Sequence, residues 1–217
     1  MLGVFAVVVL AGCSGGPPPP APATTTTTTA VTTTTTASMA ERMARAVEQA
    51  AIPRDGMAEY GFGAPTEQEY RSFWMLKPCM VVTPAEERYT NSLYRKWTND
   101  RIDLRHTVMS FETNTGVEFL EQLKLSTAGC TEWEYDNGQR YDMVADVVVQ
   151  APAGVDGFHG FCVDTVEETG PARRCVAFLA HGNVVSSLYV IQRTAPLTAS
   201  LDKLYEVLPL AVRHLTT

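Results

Sequence analysis

No charged side chain occurs before Glu41, so the formal net charge of −7 belongs wholly to the chain that follows it. No cluster of Lys and Arg offsets that acidity, which argues against nucleic acid as a partner. Within residues 38–217 Gly-x-Ser-x-Gly, a phosphate-binding glycine loop and His-Glu-x-x-His are all missing, so the familiar hydrolase, nucleotide and zinc-protease signatures are absent there. The histidines His106, His159, His181 and His214 are scattered. No cysteine pair has Cys-x-x-Cys spacing, and no histidine lies near enough to a cysteine to suggest zinc. No catalytic residue, cofactor or metal is therefore expected. No apolar run is long enough to span a bilayer.

What is present begins with a short apolar stretch, Val4–Val9, followed by Leu10-Ala11-Gly12-Cys13. A run of that length is the core of an export signal. The four residues after it resemble the bacterial lipobox, in which the cysteine is acylated and becomes the new N-terminus. Residues 1–12 are then a lipoprotein signal peptide and Cys13 the lipidated residue, carrying palmitate-type chains. The expected location is the extracytoplasmic face of the cell membrane, held there by the N-terminal lipid. Residues 1–12 hold no Lys or Arg, where an export signal usually opens with positive charge, which leaves room for a start upstream of Met1.

Residues 13–37 are the lipidated cysteine and a Pro/Thr-rich linker. Pro17–Pro20 favours polyproline II, and the runs Thr24–Thr29 and Thr32–Thr36 have the composition of O-glycosylated stalks. Extended at about 3.1 Å per residue, the linker reaches roughly 70 Å from a membrane.

Residues 38–217 have globular composition, and about 180 residues suffice for one domain with a real core. Setting Cys13 aside leaves Cys79, Cys130, Cys162 and Cys175. An even number in an exported chain suggests two disulfides, with three connectivities open. Pairing neighbours along the chain, Cys79–Cys130 and Cys162–Cys175, is favoured.

Ser38-Met39-Ala40-Glu41 is a capping-box pattern, with Met39, Met43, Val47 and Ala50 at helical spacing behind it and Pro53 as a stop. A short helix is expected over Glu67–Met75. Thr83-Pro84-Ala85-Glu86 is a second capping box, and Tyr89, Leu93 and Trp97 behind it predict a helical face. Ile102, Leu104, His106 and Val108 alternate as in a strand. Thr113–Leu125 predicts a helix, Asn137-Gly138 a hairpin turn and Met143–Val149 a strand. Phe161–Thr165 and Arg173–Leu179 form a second hairpin with Cys162 opposite Cys175. Gly182-Asn183 is a turn, Val184–Ile191 a strand, and Ser200–Leu215 a closing helix with a kink at Pro209. Tight turns require antiparallel neighbours. The fold class is α+β: an antiparallel sheet with helices packed on one face and two disulfides.

Pro78-Cys79, the helix after Phe111 that ends in Ala128-Gly129-Cys130, Cys162, and Arg174-Cys175-Val176-Ala177 followed by Asn183-Val184-Val185 form one framework. It resembles the extracellular sensor domain of the mycobacterial receptor Ser/Thr kinase PknH, over roughly residues 70–217. That family carries a tryptophan before the cysteine matched by Cys130, whereas here Trp133 follows it; Ser186 and Ser187 also stand where the family is more apolar. The resemblance implies an α+β domain with two disulfides, a ligand-binding cleft and no catalytic activity. With no kinase segment in the chain, signalling needs a partner.

Candidate ligand-contacting residues are few. Asp146 is a carboxylate in an apolar stretch, which is costly unless paired, solvated or bound. Arg173 and Arg174 are positioned to meet it or an anionic ligand. Trp97, with Trp74 and Trp133, is either core or the wall of a cleft. The acidic residues Glu132, Glu134, Asp136 and Asp142 lack calcium-loop spacing. The expected function is a lipid-anchored, non-enzymatic sensor-like domain that binds a small molecule, a lipid or an envelope protein. The alternative is a periplasmic carrier of an apolar or lipid ligand, and a hydrolase with unrecognised residues is a third class.

Overall fold

The computed structural model describes residues 37–71, 74–112, 115–135, 138–145, 148–167, 170–192 and 198–217. Cys13, the Pro/Thr linker, Asp136, Asn137 and Asp146 lie outside the described residues. Ala37–Thr217 form one compact unit.

Helix α1 spans Met39–Ala50. Its start follows from the sequence: Ser38 Oγ accepts from Glu41 N–H at 3.3 Å and the Ser38 N–H donates to the Glu41 carboxylate at 2.7 Å. The next element is a strand, β1 (Glu67–Tyr70), where a helix was expected. It is an edge strand with three of its four side chains exposed, so no apolar face was available to set its period.

The Thr83–Glu86 box is also real, since Thr83 Oγ1 accepts from Glu86 N–H at 3.2 Å. It closes only a 3-10 turn at Glu86–Arg88, and the chain then runs on as strand β2 (Tyr89–Thr98). Leu93 and Trp97 do share a face, but it is a strand face, and Tyr89 packs on the other side of the sheet because the register shifts between Tyr89 and Asn91. A spacing of four is two strand periods as well as about one helical turn. The two Tyr, two Thr and one Trp of β2 favour a strand. Asn99 then closes a tight hairpin by accepting from the N–H groups of Arg101 and Ile102 at 3.0 and 2.9 Å.

Strand β3 (Ile102–Phe111) leads to helix α2 (Gly116–Thr127), capped by Thr115. Strands β4 (Glu132–Glu134) and β5 (Arg140–Met143) form the hairpin at Gly138, which adopts a φ of 78°. The strand expected at Met143–Val149 thus ends where it was to begin. Beyond Met143 the chain leaves the sheet edge, and Val149 packs over Gly160, where a Cβ would stand 2.7 Å from that of Val149. Strands β6 (Gly157–Glu167), β7 (Gly170–His181) and β8 (Val184–Gln192) are longer than expected, and helix α3 (Ala199–Leu215) continues through Pro209.

All eight strands join one antiparallel sheet in the order β1-β2-β3-β8-β7-β6-β5-β4. Two meanders therefore meet at β3 and β8 in the middle. The α+β class, the antiparallel sheet and both disulfides are as the sequence indicates: Cys79–Cys130 and Cys162–Cys175, with Cα separations of 6.0 and 4.1 Å. The second bridge links directly opposed residues of β6 and β7.

The helices divide between the two faces of the sheet. Leu104, Val108, Leu188 and Val190 face α1 and α3, meeting Val47, Leu204 and Leu208. Met109, Phe111, Phe178 and Val185 face α2, meeting Phe119, Leu120 and Leu123. Strand β8, central and covered on both sides, is buried along its whole length.

Candidate functional site

The face that carries α2 is covered unevenly. The first residue of α2 packs at the Val184 end of β8, where a Cβ on Gly116 would lie 2.7 Å from the Val184 carbonyl oxygen. Further along, the segment from Trp74 to Arg88 lies over the sheet instead. It is fixed by Thr107, whose hydroxyl donates to the Trp74 carbonyl at 2.6 Å, and by the buried Lys77–Glu86 ion pair. Beneath it, registered rows bring distant residues together: Lys96 opposite Arg105 opposite Tyr189, and Ile191 opposite Arg174. The two-residue period of a strand puts Arg105, Tyr189 and Arg174 on one face.

Arg105 packs against two rings that also touch each other. Its Cζ lies 4.2 Å from the Trp74 ring centroid and 5.5 Å from that of Tyr189, and the two rings are 5.0 Å apart. Such contacts contribute about 0.5–2 kcal/mol each. Tyr94 closes the wall, 6.2 Å from Trp74. Among the described residues Arg105 has no ion-pair partner, and its Nε is buried without a hydrogen bond.

Arg174 lies on the same face. It donates to the Tyr141 hydroxyl and to Glu167 Oε1, the latter at 2.6 Å, and stacks over Tyr141 at 4.9 Å. Its Nε is also buried without a partner. Tyr141 is stacked in turn on Trp133 at 5.4 Å and met edge-on by Tyr135 at 5.3 Å.

Burial raises the pKa of Tyr94 to about 12 and raises those of Tyr189 and Tyr141, while both arginines pull the latter two back down. Burial also opposes the charge of Arg174, but Tyr189, Glu167 and Tyr141 outweigh it and hold that guanidinium charged. The site is thus a neutral aromatic wall around two permanent cations, with one carboxylate committed to Arg174.

The residues singled out from sequence separate. Arg173 and Arg174 are neighbours in a strand and so point to opposite faces. Arg174 joins the site. Arg173 forks onto Asp164 at 2.8 and 2.9 Å, and its carbonyl accepts from Ser200 Oγ at the start of α3. Trp97 is not a cleft residue: it is wholly buried on the α1/α3 face, its indole N–H donating to the Arg54 carbonyl at 3.4 Å. Trp74 and Trp133 belong to the arginine face. Glu132 pairs with Arg140 across the β4–β5 hairpin, and Asp142 pairs with the same arginine along β5. Among the described residues no three His, Cys, Asp or Glu side chains converge as a metal site.

Sequence reasoning missed Arg105, Tyr189, Tyr141, Tyr94 and Glu167. A signal was present. The alternation Ile102, Leu104, His106, Val108 marks one face of β3, and Asp103, Arg105 and Thr107 form the other. All seven positions are at least partly buried, although the second set is polar.

His106 is the deepest polar group. Its Nδ1 accepts from Ile52 N–H at 3.4 Å, so Nε2–H faces Ser186 Oγ at 2.8 Å. Complete burial drives its pKa down to about 3, helped by Arg95 and His214. An imidazole beside a hydroxyl invites comparison with a catalytic pair, but here a backbone N–H occupies Nδ1 where a carboxylate would orient the ring. Neither side chain reaches solvent: His106 is 1 % and Ser186 0 % exposed. Ser186 is the buried partner of His106. His159 lies beside Phe161 and Phe178, burial lowering its pKa to about 4, and exposed His181 pairs with Asp156 at 3.2 Å.

Shallow depressions are found among the described residues. One, of about 150 Å³, is lined by Glu132, Trp133, Glu134 and Arg140. Another, of about 210 Å³, is lined by Gln150, Pro152, Tyr205 and Pro209 among others. Neither is a closed apolar cavity of the kind a lipid carrier requires. Among the described residues no helix is long and apolar enough to cross a membrane.

Fold and site together define a disulfide-linked α+β domain with an arginine–aromatic face. No family model matches the chain, and no curated protein matches it. Among solved structures it is similar to the crystal structure of the extracellular domain of PknH from Mycobacterium tuberculosis. The TM-score is 0.48 at 13% identity, over 77% of this chain and 96% of that one, a likeness of overall fold without sequence kinship.

Proposed function

We propose that the protein is a lipid-anchored, non-enzymatic domain on the extracytoplasmic face of the cell membrane. It binds a ligand or an envelope partner through the arginine–aromatic face. The observation that carries this reading is Arg105, stacked on Trp74 and Tyr189 with its charge answered by no carboxylate among the described residues. The lipobox at Cys13, the uncharged stalk behind it and the two disulfides support the compartment. The resemblance of the cysteine spacing to that of a receptor-kinase sensor domain is what suggests the sensor-like role.

Two measurements test it. Cys13→Ala releases the protein from the membrane fraction; a variant that stays membrane-bound contradicts the anchor. Native mass spectrometry of protein purified from its own envelope shows a bound species that is lost in Arg105→Gln. A bound species retained in full by that variant places recognition elsewhere.

A further inference from the structure

The buried arginines of this domain share a pattern that one of them breaks. Arg95 pairs with Glu48 at 3.4 Å, Arg173 with Asp164 at 2.8 Å and Arg174 with Glu167 at 2.6 Å. Arg105 alone among these has no carboxylate within ion-pair distance in the described residues. The chain carries 24 acidic residues against 17 Lys and Arg, so carboxylates are in excess. An arginine left without one, in a half-buried position, is therefore not explained by a shortage of partners.

Its geometry is that of a prepared donor. Trp74 and Tyr189, themselves in contact, both pack against the planar guanidinium, which restricts its rotamers before anything binds. The Nε is buried and unsatisfied, and an orphaned donor of this kind is costly to the fold. The neighbouring unsatisfied atoms are Arg174 Nε and the Tyr189 hydroxyl. A neutral apolar ligand would leave these donors unpaired, and a cation would be repelled. An oxyanion satisfies the guanidinium in its fork geometry.

We infer that Arg105, supported by Tyr189 and Arg174, is an oxyanion-binding site that takes a carboxylate or a phosphate group. This inference rests on the reading of the arginine–aromatic face as the binding surface and adds the chemical class of what it binds. Glu167 tempers the site by holding Arg174.

The test is isothermal titration calorimetry on the full chain in detergent, with inorganic phosphate and with benzoate as probes. One or both bind saturably at one per chain. Phosphate alone points to a phosphorylated ligand, and benzoate alone to a carboxylic acid. Arg105→Gln weakens binding at least tenfold. Arg105→Lys, which keeps the charge and loses the planar fork, falls between the two. Glu167→Gln tightens binding by releasing Arg174. Saturable binding of neither anion, or equal affinity in Arg105→Gln with an unchanged melting temperature, overturns the inference. Failure of both anions while native mass spectrometry still shows an Arg105-dependent passenger overturns the oxyanion class alone. Failure of both experiments overturns the reading of the face.

Discussion

Acid should unfold this domain through His106, and the size of the effect follows from its burial. In the unfolded chain the imidazole takes up a proton near its ordinary value of 6.5, whereas in the fold it resists until about pH 3. Between those values the unfolded state binds the extra proton, so stability rises with pH and falls on acidification. Each pH unit in that window is worth about 1.4 kcal/mol, so lowering the pH from about 8 to about 4.5 removes roughly 2.7 kcal/mol through this one residue. That is a large share of the 5–15 kcal/mol typical of a domain. His159, whose pKa is lowered to about 4 and which is less deeply buried, adds a smaller contribution of the same sign. The assay is urea unfolding at constant ionic strength across that range, on the parent and on His106→Gln. Glutamine retains an acceptor for the Ile52 N–H and a donor for Ser186 but does not titrate. The variant should be less stable at neutral pH by about 1–2 kcal/mol, yet lose less on acidification by close to the full 2.7 kcal/mol. Parallel pH profiles for the two proteins would refute the account of His106 as a buried neutral hydrogen-bonding residue.

Other expectations follow from burial and close packing. Under a mild dithiol in native conditions, Cys79–Cys130 should be reduced before Cys162–Cys175, as read by alkylation and peptide mapping. Cys79 is exposed and both cysteines of the second bridge are 0 % exposed. Simultaneous reduction of the two would contradict the burial difference. Trp97→Ala should cost about 3–5 kcal/mol in urea unfolding as a core deletion, and Trp97→Phe should bind ligand like the parent. A loss of binding with stability intact would return Trp97 to the recognition site. Gly160→Ala should destabilise by about 1–3 kcal/mol, because its Cβ would stand 2.7 Å from that of Val149; an unchanged melting temperature would show that the crossing segment can move aside.

The second half of the chain was far more legible than the first, for a physical reason. From Gly138 onward the strands are joined by glycine-containing turns, and a cross-strand disulfide marks the register directly. In the first half β2 offered only Tyr89, Leu93 and Trp97, a spacing that suits both periods, behind a genuine cap that closes one turn. The covering of both sheet faces was not visible either. It depends on where α2 travels after β3, and that is set by packing at Gly116 rather than by α2's own pattern. The site was half legible. Arg174 stood out beside Cys175, but its partner Arg105 comes from another strand, and only the β3–β8–β7 register brings the two to one face. Taken locally, the polar alternation of Asp103, Arg105 and Thr107 is that of a solvated face, because nothing in its own sequence says that a segment returns to cover it.

The most direct test of the account is where a native ligand touches the protein. In ¹H–¹⁵N spectra that include the arginine side chains, an envelope extract should move the Nε–H signals of Arg105 and Arg174 and the indole signal of Trp74 together. Shifts confined to the depression at Gln150, Tyr205 and Pro209, with those three signals unmoved, would place recognition on the opposite face and contradict the central claim.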